Sequence, residues 1–252
     1  SANLSDDWEY EPIDSELYRV ALSDGAMTRL TERKGPDRDP ALSPDGRQLA
    51  WLGFDDKRHP YQATRLYVGD ADGGKARSLT DGFDYNIDAI EWDGNRGFWL
   101  QFDDHGRGRI GWIAASGGSV ERLADDLGGT AVGRPYTGGE FSSSAGRVAY
   151  TRAAPDAPAN LAVVERKGKS RVLTDLDANL LGHTALGAVE EITVKSSADG
   201  RDIQAWIVTP PGFDRTKTYP LLLEIHGGPF AAYGPGFAPE IQLYAAKGYV
   251  VV

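Results

Sequence analysis

One segment recurs four times along the chain, at residues 17–31 (LYRVALSDGAMTRLT), 66–80 (LYVGDADGGKARSLT), 110–124 (IGWIAASGGSVERLA) and 161–174 (LAVVERKGKSRVLT). The last residues of successive copies stand 49, 44 and 50 positions apart. Each copy carries an alternating apolar run, a tight turn at Asp-Gly, Gly-Gly or Lys-Gly, and a second run, which is the pattern of a β-hairpin. Between copies lies a second element, ALSPDGRQLAWLGF from Ala41 and AIEWDGNRGFWLQF from Ala89, with a shorter relative, FSSSAGRVAY, from Phe141. It supplies two further strands per unit.

Four short antiparallel strands at a period of about 40 to 50 residues predict β-propeller blades rather than a sandwich or a helical solenoid. Residues 1–180 are therefore expected to form a partial β-propeller of about three to four blades. Half a propeller exposes unpaired sheet edges, so blades are expected upstream, with a closed four-bladed ring as the alternative.

Composition excludes several classes of function. Acidic residues outnumber basic ones, 37 to 27, for a net charge of −10, and no Lys/Arg cluster is dense enough to follow a phosphate backbone, so no nucleic-acid partner is expected. No apolar run reaches the ~18 residues a membrane span needs, and the first residues carry no signal-peptide pattern, so no membrane association is expected. The expectation is a soluble protein of a bacterial cytoplasm or periplasm, with the compartment left open. The absence of cysteine removes disulfides, thiolate metal sites and a Cys nucleophile.

Three polar groups draw notice within the repeats. Asp70, Asp72 and Gly73 resemble the start of a calcium loop, but the ligand spacing that should follow is missing, and a hairpin turn accounts for them. Asp103, Asp104 and His105 precede Gly106 and read as a solvated loop, so no metal or other cofactor is expected. In the Gly-rich connection around Gly128, Gly129 and Gly133, Arg134 is a candidate substrate-binding residue that could meet a ligand carboxylate. A plain inter-blade loop is the competing reading.

After residue 180 the repeat stops. Residues 190–196 and 202–209, around the turn Ala198-Asp199-Gly200, read as a longer hairpin. Residues 220–225 (PLLLEI) form a nearly continuous apolar run, expected as a sheet strand buried on both faces. It ends in His226-Gly227-Gly228-Pro229. Pro239 marks a helix start, Ile241, Tyr244 and Ala245 share one helix face, and Gly248 marks its stop before the strand YVVV. Strand, glycine turn, helix and strand predict the beginning of a doubly wound α/β domain over residues 181–252, and its glycine turn is what suggests the start of an α/β-hydrolase domain.

Glycines at the carboxyl end of such a strand let the main chain aim N–H groups into the crevice above the sheet. In an α/β-hydrolase this loop donates one N–H to the tetrahedral oxyanion, and losing a donor costs roughly 3 to 4 kcal/mol of transition-state stabilisation. The catalytic histidine of that fold comes last in the chain order Ser, Asp/Glu, His, so His226 is read as orienting the loop, and Pro229 as stiffening its exit. No G-x-S-x-G nucleophile elbow occurs; Gly117-Gly118-Ser119-Val120-Glu121 fails at its last position, and Ser142 to Ser144 sit in a strand region.

The run HGGPFAAYGPGF followed by QLYAAKGYVVV resembles the prolyl oligopeptidase family of serine peptidases, particularly its acylaminoacyl-peptidase and dipeptidyl-peptidase-like bacterial members. The resemblance implies a fragment of such an enzyme, lacking its catalytic triad. It further implies that Gly228 offers its backbone N–H to the oxyanion while Gly227 shapes the loop. Short peptides are the implied substrates, with the remainder of the hydrolase domain as partner; a homo-oligomer stays open. This chain alone is expected to be inactive. The alternative reading is a non-catalytic propeller that captures peptides or proteins in its channel.

Overall fold

The computed structural model describes residues 1–131 and 133–252. A two-stranded ribbon, β1 (Tyr18–Val20) and β2 (Met27–Arg29), comes first. A four-stranded meander follows, made of β3 (Asp37–Leu42), β4 (Gln48–Gly53), β5 (Arg65–Asp70) and β6 (Arg77–Ser78). Eight strands then share one sheet: β7 (Ala89–Asp93), β8 (Gly97–Asp104), β9 (Arg107–Ala114), β10 (Glu121–Leu127), β11 (Phe141–Ser144), β12 (Arg147–Ala154), β13 (Ala157–Glu165) and β14 (Arg171–Val172). Its order is β14-β13-β12-β10-β9-β8-β7, with β11 on β12. After α1 (Ala178–Leu181) come β15 (Ala188–Lys195), β16 (Asp202–Thr209), β17 (Leu221–Leu222), α2 (Pro239–Ala246) and β18 (Val250–Val251), whose sheet order is β15-β16-β18-β17.

All four repeat copies form the hairpins their alternation predicts: β1–β2, β5–β6, β9–β10 and β13–β14. A shared closure holds three of them. The backbone N–H groups of Leu17, Leu66 and Leu161 donate to the hydroxyls of Thr31, Thr80 and Thr174 at 2.9, 3.0 and 2.9 Å. The leucine before each threonine returns its own N–H to the carbonyl of the same residue. Each hairpin's first residue thus has both main-chain groups satisfied where the ladder would otherwise fray.

The propeller is overturned. Among the described residues no sheet closes on itself, and the strands fall in sheets of two, four, eight and four rather than in a run of equal four-stranded blades. Strand β10 runs past the repeat to Leu127 and pairs with β12 at Leu127↔Arg152, so the third and fourth hairpins continue one sheet instead of standing as separate blades. Periodicity in the sequence reports hairpins; what joins one hairpin to the next is decided by residues between the copies. The channel assumed by the binding-module reading goes with it.

The α/β-hydrolase expectation is overturned as well. The helices of the described residues are the four-residue α1 and the eight-residue α2, and the parallel pairing of β17 with β18 is two residues deep. A doubly wound domain needs helices over both faces of a parallel sheet, and that layer is not present. The run 220–225 consequently is not a strand buried on both faces. Strand β17 lies at the sheet's edge, and Leu221, Leu223 and Ile225 are 62, 66 and 74% exposed. Helix α2 does form where Pro239 and Gly248 frame it, with Ile241 and Ala245 buried.

The chain divides into two compact units interleaved in sequence. The first comprises Ser1–Phe102, Ile110–Leu123 and Ser143–Gly146. Its core gathers Leu52, Leu66, Val68, Phe98, Leu100 and Phe102, each fully or nearly fully buried. Burial of each such side chain contributes about 1.5–3 kcal/mol. Beside it, Trp51 donates its indole N–H to Asp37 at 2.9 Å, and the same oxygen accepts from Arg33, whose guanidinium lies 4.0 Å from the Tyr67 ring centroid. The second unit comprises Asp103–Arg109, Ala124–Ser142 and Arg147–Val252. There α2 sets Ile241 and Ala245 against Val208 of β16 and Val251 of β18. The change of pattern after residue 180 falls inside this second unit.

Candidate functional site

Within the second unit, main-chain bonds from Val252 to Leu222 and from Glu224 back to Val252 carry the pairing of β17 two residues further. The chain then leaves the sheet through His226, Gly227, Gly228 and Pro229, with a cis peptide between the last two. Neither glycine adopts a left-handed φ; the residue that does is Phe230, at +60°. The turn's glycines therefore serve access rather than backbone handedness.

Two side chains hold the turn. The N–H of Gly227 donates to the Tyr136 phenol at 3.1 Å, and His226 Nδ1 lies 2.9 Å from the carbonyl oxygen of Gly227. Among the described residues no acceptor meets the N–H of Gly228. Tyr233 backs both side chains: its ring makes edge contacts with Tyr136 at 4.8 Å and with His226 at 5.6 Å between centroids. Burial first, then the neighbouring Tyr136 and Glu224, push the Tyr233 phenol up to about 12, so it stays neutral near pH 7.

The connection carrying Tyr136 is stitched to the segment after the turn. Tyr136 and Tyr233 form an antiparallel bridge, Gly234 N–H donates to Pro135 at 2.7 Å, and Thr137 N–H donates to Ala232 at 3.1 Å. Gly234 also lies so close to Gly106 that a Cβ there would stand 2.0 Å from the Gly106 carbonyl oxygen. Only glycine permits that approach.

Arg134 meets carboxylates of its own chain. Its Nε lies 3.1 Å from Glu224 and its Nη1 pairs with Glu240, to which Tyr244 also donates at 2.6 Å. That phenol, followed by Arg134, holds Glu240 below its ordinary carboxylate range. Beside the turn opens a cavity of about 250 Å³, lined by Ile203, Trp206, Ile225, His226, Tyr233 and Ile241. It is apolar for most of its wall, with Gln204, Glu224, His226 and Gln242 among its polar lining.

The other polar groups noted in the sequence lie elsewhere. Asp70, Asp72 and Gly73 make a hairpin turn closed by Gly73 N–H on Asp70 and Gly74 N–H on Asp72. Asp104 pairs with His105 and Arg109. No group of three or more His, Asp or Glu able to hold a metal occurs among the described residues. No helix among them is long and apolar enough to cross a membrane.

Sequence reasoning missed Tyr136, Tyr233 and the two glutamates. A signal for Tyr136 was present: in an extended segment alternate residues face the same side, and Tyr136 stands two positions from Arg134.

Comparison with known proteins gives the site its context. No family model matches the chain. It is 27% identical to dipeptidyl-peptidase 5 of Porphyromonas gingivalis over 94% of its own length and 34% of that protein. It is 29% identical to the uncharacterized peptidase YuxL of Bacillus subtilis over 94% of its length and 45% of that protein. Among solved structures, Pyrococcus horikoshii acylaminoacyl peptidase superposes with a TM-score of 0.72 at 22% identity, covering 91% of this chain and 34% of that one. The chain thus spans between a third and a half of these relatives. The resemblance to serine peptidases of the prolyl oligopeptidase family holds.

Proposed function

We propose that this chain is part of a serine peptidase that hydrolyses short peptides, of the dipeptidyl- or acylaminoacyl-peptidase type, and that it contributes the Gly228 N–H to the oxyanion hole. One observation carries the reading: of the two glycine N–H groups at the end of β17, that of Gly227 is engaged by Tyr136 while that of Gly228 has no acceptor among the described residues. Gly228 stands on an exposed turn whose His226 lines the apolar cavity, and an N–H held in place there can meet a developing oxyanion. The named relatives favour peptides as substrates.

In this reaction a serine outside the present sequence attacks the substrate carbonyl and gives its proton to a base. The carbonyl oxygen gains the charge that Gly228 N–H meets, the C–N bond breaks as the leaving amine takes the proton, and water then hydrolyses the acyl-enzyme. His226 and Tyr136 hold the turn, and the cavity beside it accommodates an apolar part of the substrate.

The test is fluorophosphonate labelling of two polypeptides: these 252 residues, and the same chain extended through a G-x-S-x-G segment. Labelling and dipeptidyl or acylaminoacyl reporter hydrolysis by the longer form alone is the expected result. Turnover by the 252-residue chain, or no labelling of the longer one, overturns the proposal.

A further inference from the structure

We infer that Tyr136 is a positioning residue for the glycine turn, fixing one of the two peptide planes that flank Gly227 so that the N–H of Gly228 is presented in a single direction. A peptide unit is planar, so a hydrogen bond to either of its polar atoms fixes the orientation of the other. The plane joining His226 to Gly227 carries the N–H that donates to the Tyr136 phenol at 3.1 Å. The next plane, joining Gly227 to Gly228, carries the carbonyl oxygen that lies 2.9 Å from His226 Nδ1. The N–H of Gly228 belongs to that second plane and points away from its carbonyl. With both planes held, the N–H of Gly228 has one orientation.

Tyr136 is fitted for this by its own supports. Its ring rests edge-on against the buried Tyr233. Its main chain bridges Tyr233, with Pro135 and Thr137 bonded to Gly234 and Ala232 on either side. The contact is also close: a Cβ on Gly227 would stand 3.3 Å from the phenol oxygen, so a side chain there would crowd the hydroxyl by a few tenths of an ångström. An exposed turn at an edge strand otherwise samples several orientations, and an oxyanion donor that must reorganise loses its advantage over water. The consequence for catalysis rests on the oxyanion reading of Gly228; the hydrogen bond and its effect on the turn do not.

The deciding variant is Tyr136→Phe, which keeps the ring on Tyr233 and deletes the hydroxyl. In the 252-residue chain, amide exchange followed by NMR should show Gly227 exchanging about tenfold more slowly than Gly228, and the variant should abolish that difference while leaving the melting temperature unchanged. Equal exchange of the two amides in the parent chain overturns the inference even if the variant fails to fold, as does an unchanged Gly227 in a folded variant. In an active longer polypeptide, Tyr136→Phe should lower kcat about fivefold with KM unchanged; a KM effect alone, or none, overturns it. If the longer polypeptide has no activity, the peptidase reading fails, and the exchange comparison still decides whether Tyr136 holds the turn.

Discussion

The backbone N–H of Leu66 donates to the side-chain oxygen of Thr80 at 3.0 Å, across the mouth of the hairpin that β5 and β6 form. Both residues are buried, Thr80 to within 2% of full coverage. Thr80→Val therefore leaves a main-chain donor unsatisfied in the core, at a cost of about 1–3 kcal/mol. At Thr174 the partner Leu161 is exposed, so water can replace that bond; the hydroxyl's second bond, donated to the buried Asn160 at 2.9 Å, is lost as well, but the Asn160 oxygen keeps the Leu176 N–H, and the substitution costs roughly 0.5–1 kcal/mol. Urea unfolding of the two variants should give midpoints that differ in this order.

That pair also marks how far the sequence could be read. The Leu-Thr ending of three copies is a local signal, and local signals placed all four hairpins, the helix α2 between Pro239 and Gly248, and the hairpin β15–β16. The joins were illegible because they depend on register between distant strands: nothing in the third copy announces that Leu127 will pair with Arg152. Exposure of the run 220–225 was illegible for a related reason, since an apolar run declares what it would bury and not whether anything covers it. At the site, the turn was visible in His226 to Pro229. Tyr136, some 90 positions earlier, could be tied to it only by the fold.

Gly234 and Gly228 should respond very differently to alanine. A Cβ at 234 meets the Gly106 carbonyl oxygen at 2.0 Å, main chain against main chain, so Gly234→Ala forces the two segments apart and costs about 3 kcal/mol or more. At 228 the nearest atom to a Cβ is the Phe230 nitrogen at 3.9 Å, and φ is not left-handed. Gly228→Ala should stay within about 0.5 kcal/mol of the parent. Thermal unfolding monitored by circular dichroism separates the two.

The Asp37 carboxyl is held above its ordinary value of 3.8, chiefly by burial, with Arg33 opposing the shift. Folding therefore takes up a proton on Asp37 at pH values between 3.8 and its raised value. Stability from this group is fully present below 3.8 and is lost as pH rises through the folded pKa. In Asp37→Asn the group cannot titrate, so parent-minus-variant stability should fall as pH rises from about 4 and level off once the folded pKa is passed. Denaturant midpoints at half-unit pH steps check this. A difference that rises with pH would mean Asp37 is a stabilising ion-pair partner first and a buried acid second.

Ile241 and Leu223 occupy opposite settings in the second unit, one in its core and one at its sheet edge. Ile241 projects from α2 into the cluster with Val208, Ala245 and Val251, and it also lines the cavity beside His226. Ile241→Ala removes three carbons from a small core that cannot collapse around the loss, because a cavity already lies on one side. It should cost about 2–4 kcal/mol. Leu223, by contrast, is 66% exposed on the edge strand's continuation. Had the run been a central strand, Leu223→Ser would rank with Ile241→Ala; at an exposed edge it should be neutral within about 0.5 kcal/mol. Because an exposed apolar edge is a template for intermolecular pairing, the same substitution should reduce the concentration dependence of light scattering.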